Sequence, residues 1–519
     1  MTRFSTLPLF LAAMILAGLG VAALDRAMNW GAGLRNDSYL YIVGADNIAA
    51  GLGYSRFTGE GEIRPINHNP PLYSAWLAVS KGAAGVPTAE AARASNLALF
   101  GVTVVGVVFL VWKLSASPLA SLGAGLLVAV SPGMIDVYSM VMTEPLYLPL
   151  TLAALYLLSE ELREHHPGRL IGSALLIAAA YLTRYVGISL IATAVVGFLA
   201  ARGAIWQRAA RLGVFLGLSA GLPALWLIRN LVLTGSATNR TLAWHAVPPE
   251  TLEIGVKTVL SWLLPMITLG AKAKGLIALP VLLALVLIAI RLRGKPGSAV
   301  FRIRQMGLAE LLAVHAIIYS LGFLGTILFV DNSIVPDDRN LSPVYLAGMI
   351  LAFVALARGA PLVRVPARVG LAAGVLIVAL FYAERTGEVV ENAYVHGIGY
   401  LDVNWRTSGT IQHVRELPDV PIYSNSPVPI YFLAGRVARL APFRIDPATN
   451  QPREDYPAWL QQMRTTLETE GGYLILFDVS RISQDPHDRA WLDDLRLGLD
   501  LVDEHSDGEV YNSRPEANE

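Results

Sequence analysis

The sequence predicts a mainly α, polytopic membrane protein of about eleven transmembrane helices, with external amphipathic helices and a small C-terminal α/β soluble domain. Three observations predict it. Of the 519 residues 54% are hydrophobic and only 15% are charged, a composition outside the ordinary soluble range. Apolar runs long enough to cross a hydrocarbon core of about 30 Å recur along most of the chain. From about residue 385 charged residues and prolines become common, and no later run is long enough to cross. Formal net charge is zero, so bulk charge argues for neither a nucleic-acid partner nor strong attraction to an anionic surface. The absence of cysteine excludes disulfides, thiolate metal sites and a cysteine nucleophile.

The expected spans are 5–24, 91–112, 118–134, 145–160, 169–183, 186–201, 211–229, 275–291, 308–330, 341–357 and 369–384. The first has a basic start and small residues near its end, as a cleavable signal peptide would, but it is long enough to cross and is read as a retained span. Arg3 and the loops carrying Lys113, Arg202, Arg208, Arg211, the basic run Arg291 to Arg304, and Arg358, Arg364 and Arg368 lie on one side of this arrangement. The positive-inside rule makes that side cytoplasmic. Segments 25–90, 135–144, 183–186, 230–274, 331–340 and everything after about 385 then face the other side. The stretch 251–270 is too polar at its start for a span and is interrupted by Pro265, so it reads as an interfacial or re-entrant helix. The division is thus a transmembrane core, 1–384, whose first external loop is 25–90, and a soluble domain, 385–519. In that domain "NWRTSGTIQHVREL" reads as a helix capped by Asn404, "VPIYSN" and "YLILFD" as buried strands, and "LVDEHSDGEVYNS" as a hairpin turning at Asp507-Gly508.

The chemistry-bearing residues fall in the external segments. Asp37 opens an amphipathic stretch, "DSYLYIVGADNIAAGLGY", whose Tyr39 lies on the same segment. An acid there serves as an N-cap, or as a general base held at the lipid edge where a donor from lipid meets an acceptor from water. "HNPPLYSAW" places His68, Asn69 and Tyr73 around a Pro-Pro helix start. Glu144 follows Thr143 and precedes Pro145, an ordinary helix start with Thr as cap. Arg184 in "LTRYVG", Arg229 in "WLIRNLVLTG" and Arg339 in "DDRNLSPVY" each suit a snorkelling cation. All three nevertheless face the side opposite the basic loops, which points to an anionic ligand, and a phosphate matches a guanidinium fork.

Taken in order, "DSYLYIVGADNIAAGLGY", "HNPPLYSAW", "MTEPLY", "LTRYVG", "WLIRNLVLTG" and "RNLSPVY" resemble the GT-C superfamily of membrane glycosyltransferases, in particular the branch with the protein O-mannosyltransferases and the lipid A aminoarabinose transferase. The resemblance covers about residues 1–384. It implies a sugar donor linked to a polyprenyl phosphate, transfer on the non-cytoplasmic face, and inversion at the anomeric carbon. It implies Asp37 as the acid that activates the acceptor, with Glu144 as a second catalytic acid. Arg184, Arg229 and Arg339, with Asn69, Tyr39 and Tyr73, are then expected at the donor phosphate and substrate. Where the aminoarabinose branch has Glu-Lys before the Pro-Pro pair, this chain has His68-Asn69, so another cation must take the lysine's role or the donor differs. A divalent metal would find ligands in His68, Glu144 and His245, although their spacing does not require one. Partners are the lipid-linked donor and an acceptor protein, lipid or polysaccharide. Alanine and arginine richness suggests a bacterial inner membrane with the C-terminal domain on the periplasmic side. The alternative is a transporter or flippase for a lipid-linked or anionic substrate, against which the clean spans and the polar residues at one mouth weigh. A third reading is an assembly protein whose tail carries the function.

Overall fold

A computed structural model describes residues 6–57, 62–263, 306–362 and 364–513. The expected span 275–291, its basic flank, Arg3 and Pro265 lie outside the described residues. In chain order the helices of the membrane part are α1 (Thr6–Ala27), α2 (Asn36–Ala49), α3 (Leu72–Ala84), α4 (Thr88–Ser115), α5 (Pro118–Ala129), α6 (Pro132–Tyr138), α7 (Glu144–Glu164), α8 (Pro167–Thr183), α9 (Ile188–Ala200), α10 (Ile205–Thr234), α11 (Pro249–Leu263), α12 (Leu308–Phe329), α13 (Asp338–Gly359) and α14 (Val365–His396). Among the described residues, α1, α4, α10, α12, α13 and α14 are each long and apolar enough to cross a membrane. The pair α5 and α6, bent by 58°, makes a seventh if it counts as one span. Helices α8 and α9 are apolar but shorter. Leu7, Leu11, Ile15 and Leu19 recur at every fourth position of α1 and are exposed, the outward apolar face that a lipid surround favours.

The segment between α1 and α4, expected as the first external loop, is built from α2, a short antiparallel ribbon of β1 (Ser55–Phe57) and β2 (Ile63–Pro65), and α3. Helix α2 opens at Arg35 rather than at Asp37: the Ser38 hydroxyl accepts from the Arg35 N–H at 2.9 Å, and Asp37 sits inside the first turn. Ser38 Oγ also donates to the Val141 carbonyl at 2.9 Å, while the Gly33 and Val141 backbones exchange bonds with Ser139 and Gly33 at 2.7 and 2.9 Å. This pairing of 33–38 with 139–141 lays the start of α2 beside the start of α7. The two sequence acids are thereby brought to one place.

Helix α14 runs unbroken past residue 385 to His396. The chain then forms a five-stranded mixed sheet of order β4-β3-β7-β9-β8, from β3 (Ile422–Ser424), β4 (Arg439–Leu440), β7 (Tyr473–Phe477), β8 (Asp500–His505) and β9 (Gly508–Asn512). Two short strands, β5 (Ile445–Asp446) and β6 (Gln451–Pro452), pair separately. Alternation along β7 sends Leu474 and Leu476 into one apolar cluster with Met463 and Leu492, and Ile475 and Phe477 into another with Ile411 and Ile430. Both faces are therefore covered by helices. The stretch expected as one helix capped by Asn404 is two, α15 (Val403–Arg406) and α16 (Gly409–Glu416). Asp402 and Ser408 cap them, because their side chains reach the free N–H groups of Asn404 and Ile411 at 2.9 Å each. The hairpin turns at Ser506-Asp507, one residue earlier than expected, because Gly508 pairs with His505 as the first residue of β9. The domain is tied back to the first loop: the Tyr400 N–H donates to the Leu34 carbonyl at 2.9 Å. Gly399 makes that approach feasible, with φ +61° and a Cβ position only 2.1 Å from the Leu34 oxygen.

Candidate active site

Four helix ends meet around Arg339, in the first turn of α13. Its Nε donates to Glu144 Oε1 at 2.7 Å and its Nη2 to Asp37 Oδ2 at 3.2 Å, so one guanidinium joins the two acids by separate edges. Glu144, at the start of α7, has only 2% of its side chain exposed. It carries a second ion pair with Arg184, which follows the last turn of α8. Arg184 Nη1 further donates to Thr143 Oγ1 at 3.1 Å and its Nη2 to Asn340 Oδ1 at 3.2 Å. The Thr143 hydroxyl therefore serves Arg184 and does not cap α7, contrary to the sequence expectation. Asp37 is 41% exposed, and its Oδ1 makes no hydrogen bond among the described residues.

The network forms part of the wall of a cavity of about 870 Å³. Asp37, Tyr41, His68, Asn69, Arg184, Tyr319 and Arg339 line it, with Arg240 and Asp331, two residues that the sequence reading did not single out. Arg240 Nη1 pairs with Asp331 Oδ2 at 3.3 Å, and its Nη2 lies 3.4 Å from His68 Nε2. Burial, with the positive charge of Arg240 beside it, lowers the His68 pKa below its ordinary value, so the ring is neutral at neutral pH. Ile188, Leu242, Ile318 and Phe323 give the same cavity an apolar side. A smaller cavity of about 380 Å³ lies beyond Asp37, lined by Asn36, Met142, Gly399, Tyr400 and Trp405. Arg35, Asp37 and Arg339 line both cavities. The Arg35 guanidinium has no hydrogen-bond or ion-pair partner among the described residues.

Other residues expected at the site lie elsewhere. Arg229 stacks 4.9 Å from the Trp226 ring and donates to the carbonyls of Ile66 and Tyr54 at 2.9 and 3.2 Å. Its donors hold the first loop, and it does not line the large cavity. Tyr39 donates to the Phe57 carbonyl at 3.2 Å and packs edge-on against Tyr431 of the C-terminal domain. Tyr73 is fully buried against Tyr41. Asn69 does reach the cavity, with its amide nitrogen buried and unpaired.

The expected metal ligands do not fit an ion. Among the described residues, His68, Glu144 and His245 form no cluster of ligating atoms. Two guanidiniums occupy the Glu144 carboxylate, His68 faces a third, and the His245 ring is buried without a hydrogen-bond partner. A cation would meet guanidinium charge at Glu144 and at His68.

Residues 68–227 match the family described as dolichyl-phosphate-mannose-protein mannosyltransferase. The chain superposes on the crystal structure of ArnT from Cupriavidus metallidurans in the apo state, with TM-score 0.59 and 14% identity over 96% of this chain and 97% of that one. The chain has the GT-C fold. ArnT from the same organism bound to undecaprenyl phosphate matches this chain equally widely, with TM-score 0.58 and 13% identity over 96% and 97% of the two chains. The Archaeoglobus fulgidus oligosaccharyltransferase tethered to an acceptor peptide shares the GT-C fold at TM-score 0.54 and 12% identity, over 99% of this chain and 75% of its own. No curated protein matches the sequence.

Proposed function

We propose that this protein is an inverting glycosyltransferase that moves a sugar from a polyprenyl-phosphate-linked donor to an acceptor on the non-cytoplasmic face of the membrane, with Asp37 as base. The observation that carries the reading is the position of Asp37 and Arg339 in the wall shared by two cavities of unlike character. The large one combines arginines with an apolar side, which suits a phosphate attached to a polyprenyl chain. The small one opens beside the C-terminal domain and takes the acceptor. The Asp37 carboxylate withdraws the acceptor hydroxyl proton through its free oxygen, the acceptor oxygen bonds the anomeric carbon, and the bond from that carbon to the phosphate oxygen breaks. Polyprenyl phosphate leaves with the electron pair. A phosphate leaving group needs no proton, so one base suffices where glycoside hydrolysis uses two carboxyl groups.

Arg240 takes the role of the lysine that the aminoarabinose branch places next to its Pro-Pro pair, since its guanidinium lies against His68 beside Asn69. The departing phosphate is received by Arg240, by the unengaged Nη1 of Arg339 and by Arg35. Glu144 acts by fixing Arg184 and Arg339 rather than by proton transfer, a role its burial between them supports. Structures of like fold hold undecaprenyl phosphate and an acceptor peptide, which supports a polyprenyl-phosphate donor and a separate acceptor as the two ligand classes. We place the protein in a bacterial inner membrane with the C-terminal domain outside, closing the acceptor side.

The test is release of free polyprenyl phosphate from a mixed pool of lipid-linked sugars with acceptor extract present, followed by mass spectrometry. Wild type should release it and Asp37→Asn should not, although the variant folds. Equal release by both would remove Asp37 from the mechanism, and no release by folded wild type would overturn the transferase reading.

A further inference from the structure

The C-terminal domain holds a separate group of ligating side chains. His413 lies on α16, and Asp503 and His505 lie on β8, 90 residues further on. One ligand atom from each falls within 4.8 Å of the other two. Asp503 Oδ2 is shared: His413 Nδ1 stands 2.9 Å from it and His505 Nε2 stands 3.2 Å from it. The bland alternative is a trio in which the carboxylate simply accepts from two imidazoles. Against it, His505 Nε2 is buried and makes no hydrogen bond despite its nearness to Asp503, which a satisfied trio would not leave. Other acids of the domain pair with arginine, as Asp494 does with Arg444 and Glu509 with Arg496, whereas the ion-pair partners of Asp503 among the described residues are the two histidines. Gly409 leaves the ring its room, because a Cβ there would stand 2.8 Å from His505 Nδ1.

We propose that His413, Asp503 and His505 bind a divalent transition-metal ion of the zinc class, which pins α16 to the β8–β9 hairpin. Two imidazole nitrogens and one carboxylate oxygen are three ligands that zinc takes at about 2.0–2.2 Å, with water in the fourth place. The ion reinforces a tie already begun by Thr410 Oγ1, which donates to Asp507 Oδ1 at 3.0 Å. Since α16 begins four residues after Trp405, at the end of the segment from Gly399 that lines the smaller cavity, the same clamp anchors one wall of that cavity.

The experiment uses full-length, untagged protein in detergent, stripped by chelator, saturated with Zn²⁺ at neutral pH and desalted before metal analysis. Wild type should retain one zinc per chain more than Asp503→Asn or His505→Gln, while His68→Gln and His245→Gln retain as much as wild type. Zinc should raise the Tm of wild type and not that of Asp503→Asn. Co²⁺ added to stripped wild type should give the visible absorption of a four-coordinate ion, a readout that needs no variant. Equal zinc in wild type and Asp503→Asn, or no zinc and no cobalt band in wild type, overturns the proposal.

Discussion

Replacing Arg339 with lysine tests the site most directly, because the guanidinium uses two different edges. Nε meets Glu144 at 2.7 Å and Nη2 meets Asp37 at 3.2 Å. A lysine ammonium is a point charge that cannot span both carboxylates in this geometry. Hydrogen bonds to charged partners contribute about 1.5–3 kcal/mol each. Glu144 keeps Arg184, so the bond lost is the one that positions Asp37. If that positioning is expressed in the transition state, about 1.5–3 kcal/mol corresponds to a fall of roughly ten- to a hundredfold in kcat/KM. The assay is polyprenyl phosphate release in proteoliposomes for wild type, Arg339→Lys and Arg339→Ala, with thermal unfolding of each. Arg229→Lys is the comparator: its native donors serve backbone carbonyls, so it should lower Tm without a comparable loss of turnover. Arg339→Lys within about twofold of wild type in kcat/KM, at unchanged Tm, would refute the reasoning from this geometry.

Arg240→Ala should raise KM for the lipid-linked donor by about tenfold, the value of one charge-assisted contact, with a smaller change in kcat; steady-state kinetics separates the two. His68 has its folded pKa depressed below about 6.5, so its neutral form contributes stability that is complete above that pH and lost as pH falls through the folded value. Tm measured from pH 7.5 to 5 should therefore fall more steeply for wild type than for His68→Gln, and parallel curves would exclude this contribution. Gly187→Ala places a Cβ 2.6 Å from the Tyr181 backbone, costing about 1–3 kcal/mol and pushing the turn that presents Arg184; it should lower both Tm and release activity.

The gathering of Asp37, Glu144, Arg184 and Arg339 on one face was legible because each ends or begins an apolar run, and loop charge fixes which ends share a side. That they touch one another was not legible. It depends on the backbone pairing of 33–38 with 139–141, which no periodicity announces. Tyr39 and Tyr73 illustrate the limit. Both carry a hydroxyl on an external segment, but one faces the C-terminal domain and the other is enclosed against Tyr41, a choice made by tertiary packing. Arg240 was missed because it lies in coil between α10 and α11, where neither a run nor a cap marks it. The available signal was its sign, since it is another arginine on the side that the bias leaves poor in cations. The fold was readable as helical and polytopic, but not as a span count: the expected spans among the described residues fall on helices, yet six of those helices are long and apolar enough to cross, and the expected span 118–134 is broken into α5 and α6. The caps in the C-terminal domain were misplaced because Asp402, Asn404 and Ser408 are all good N-caps, and only the break between two short helices selects among them.

The helix ends also explain why a cap and a site residue are not rival readings here. Asp37 and Glu144 lie in the first turns of α2 and α7, where the helix dipole favours an acid, and Arg184 follows the last turn of α8, where it favours a cation. Each therefore has a local reason to occupy its position, and the fold needs only to bring the ends together. Arg339 has no such reason. It lies in the first turn of α13 directly after Asp337, which caps the helix by accepting from the Asn340 N–H at 2.9 Å, and Asp338. A cation there opposes the dipole at a cost of about 0.3–1 kcal/mol. Of the four, Arg339 is the residue whose placement local helix energetics disfavour, and it is the one that contacts both acids and lines both cavities. A position held against local preference points to the site as its cause, and this is the physical ground for putting Arg339 ahead of Arg184 and Arg229 as the cation that organises the reaction.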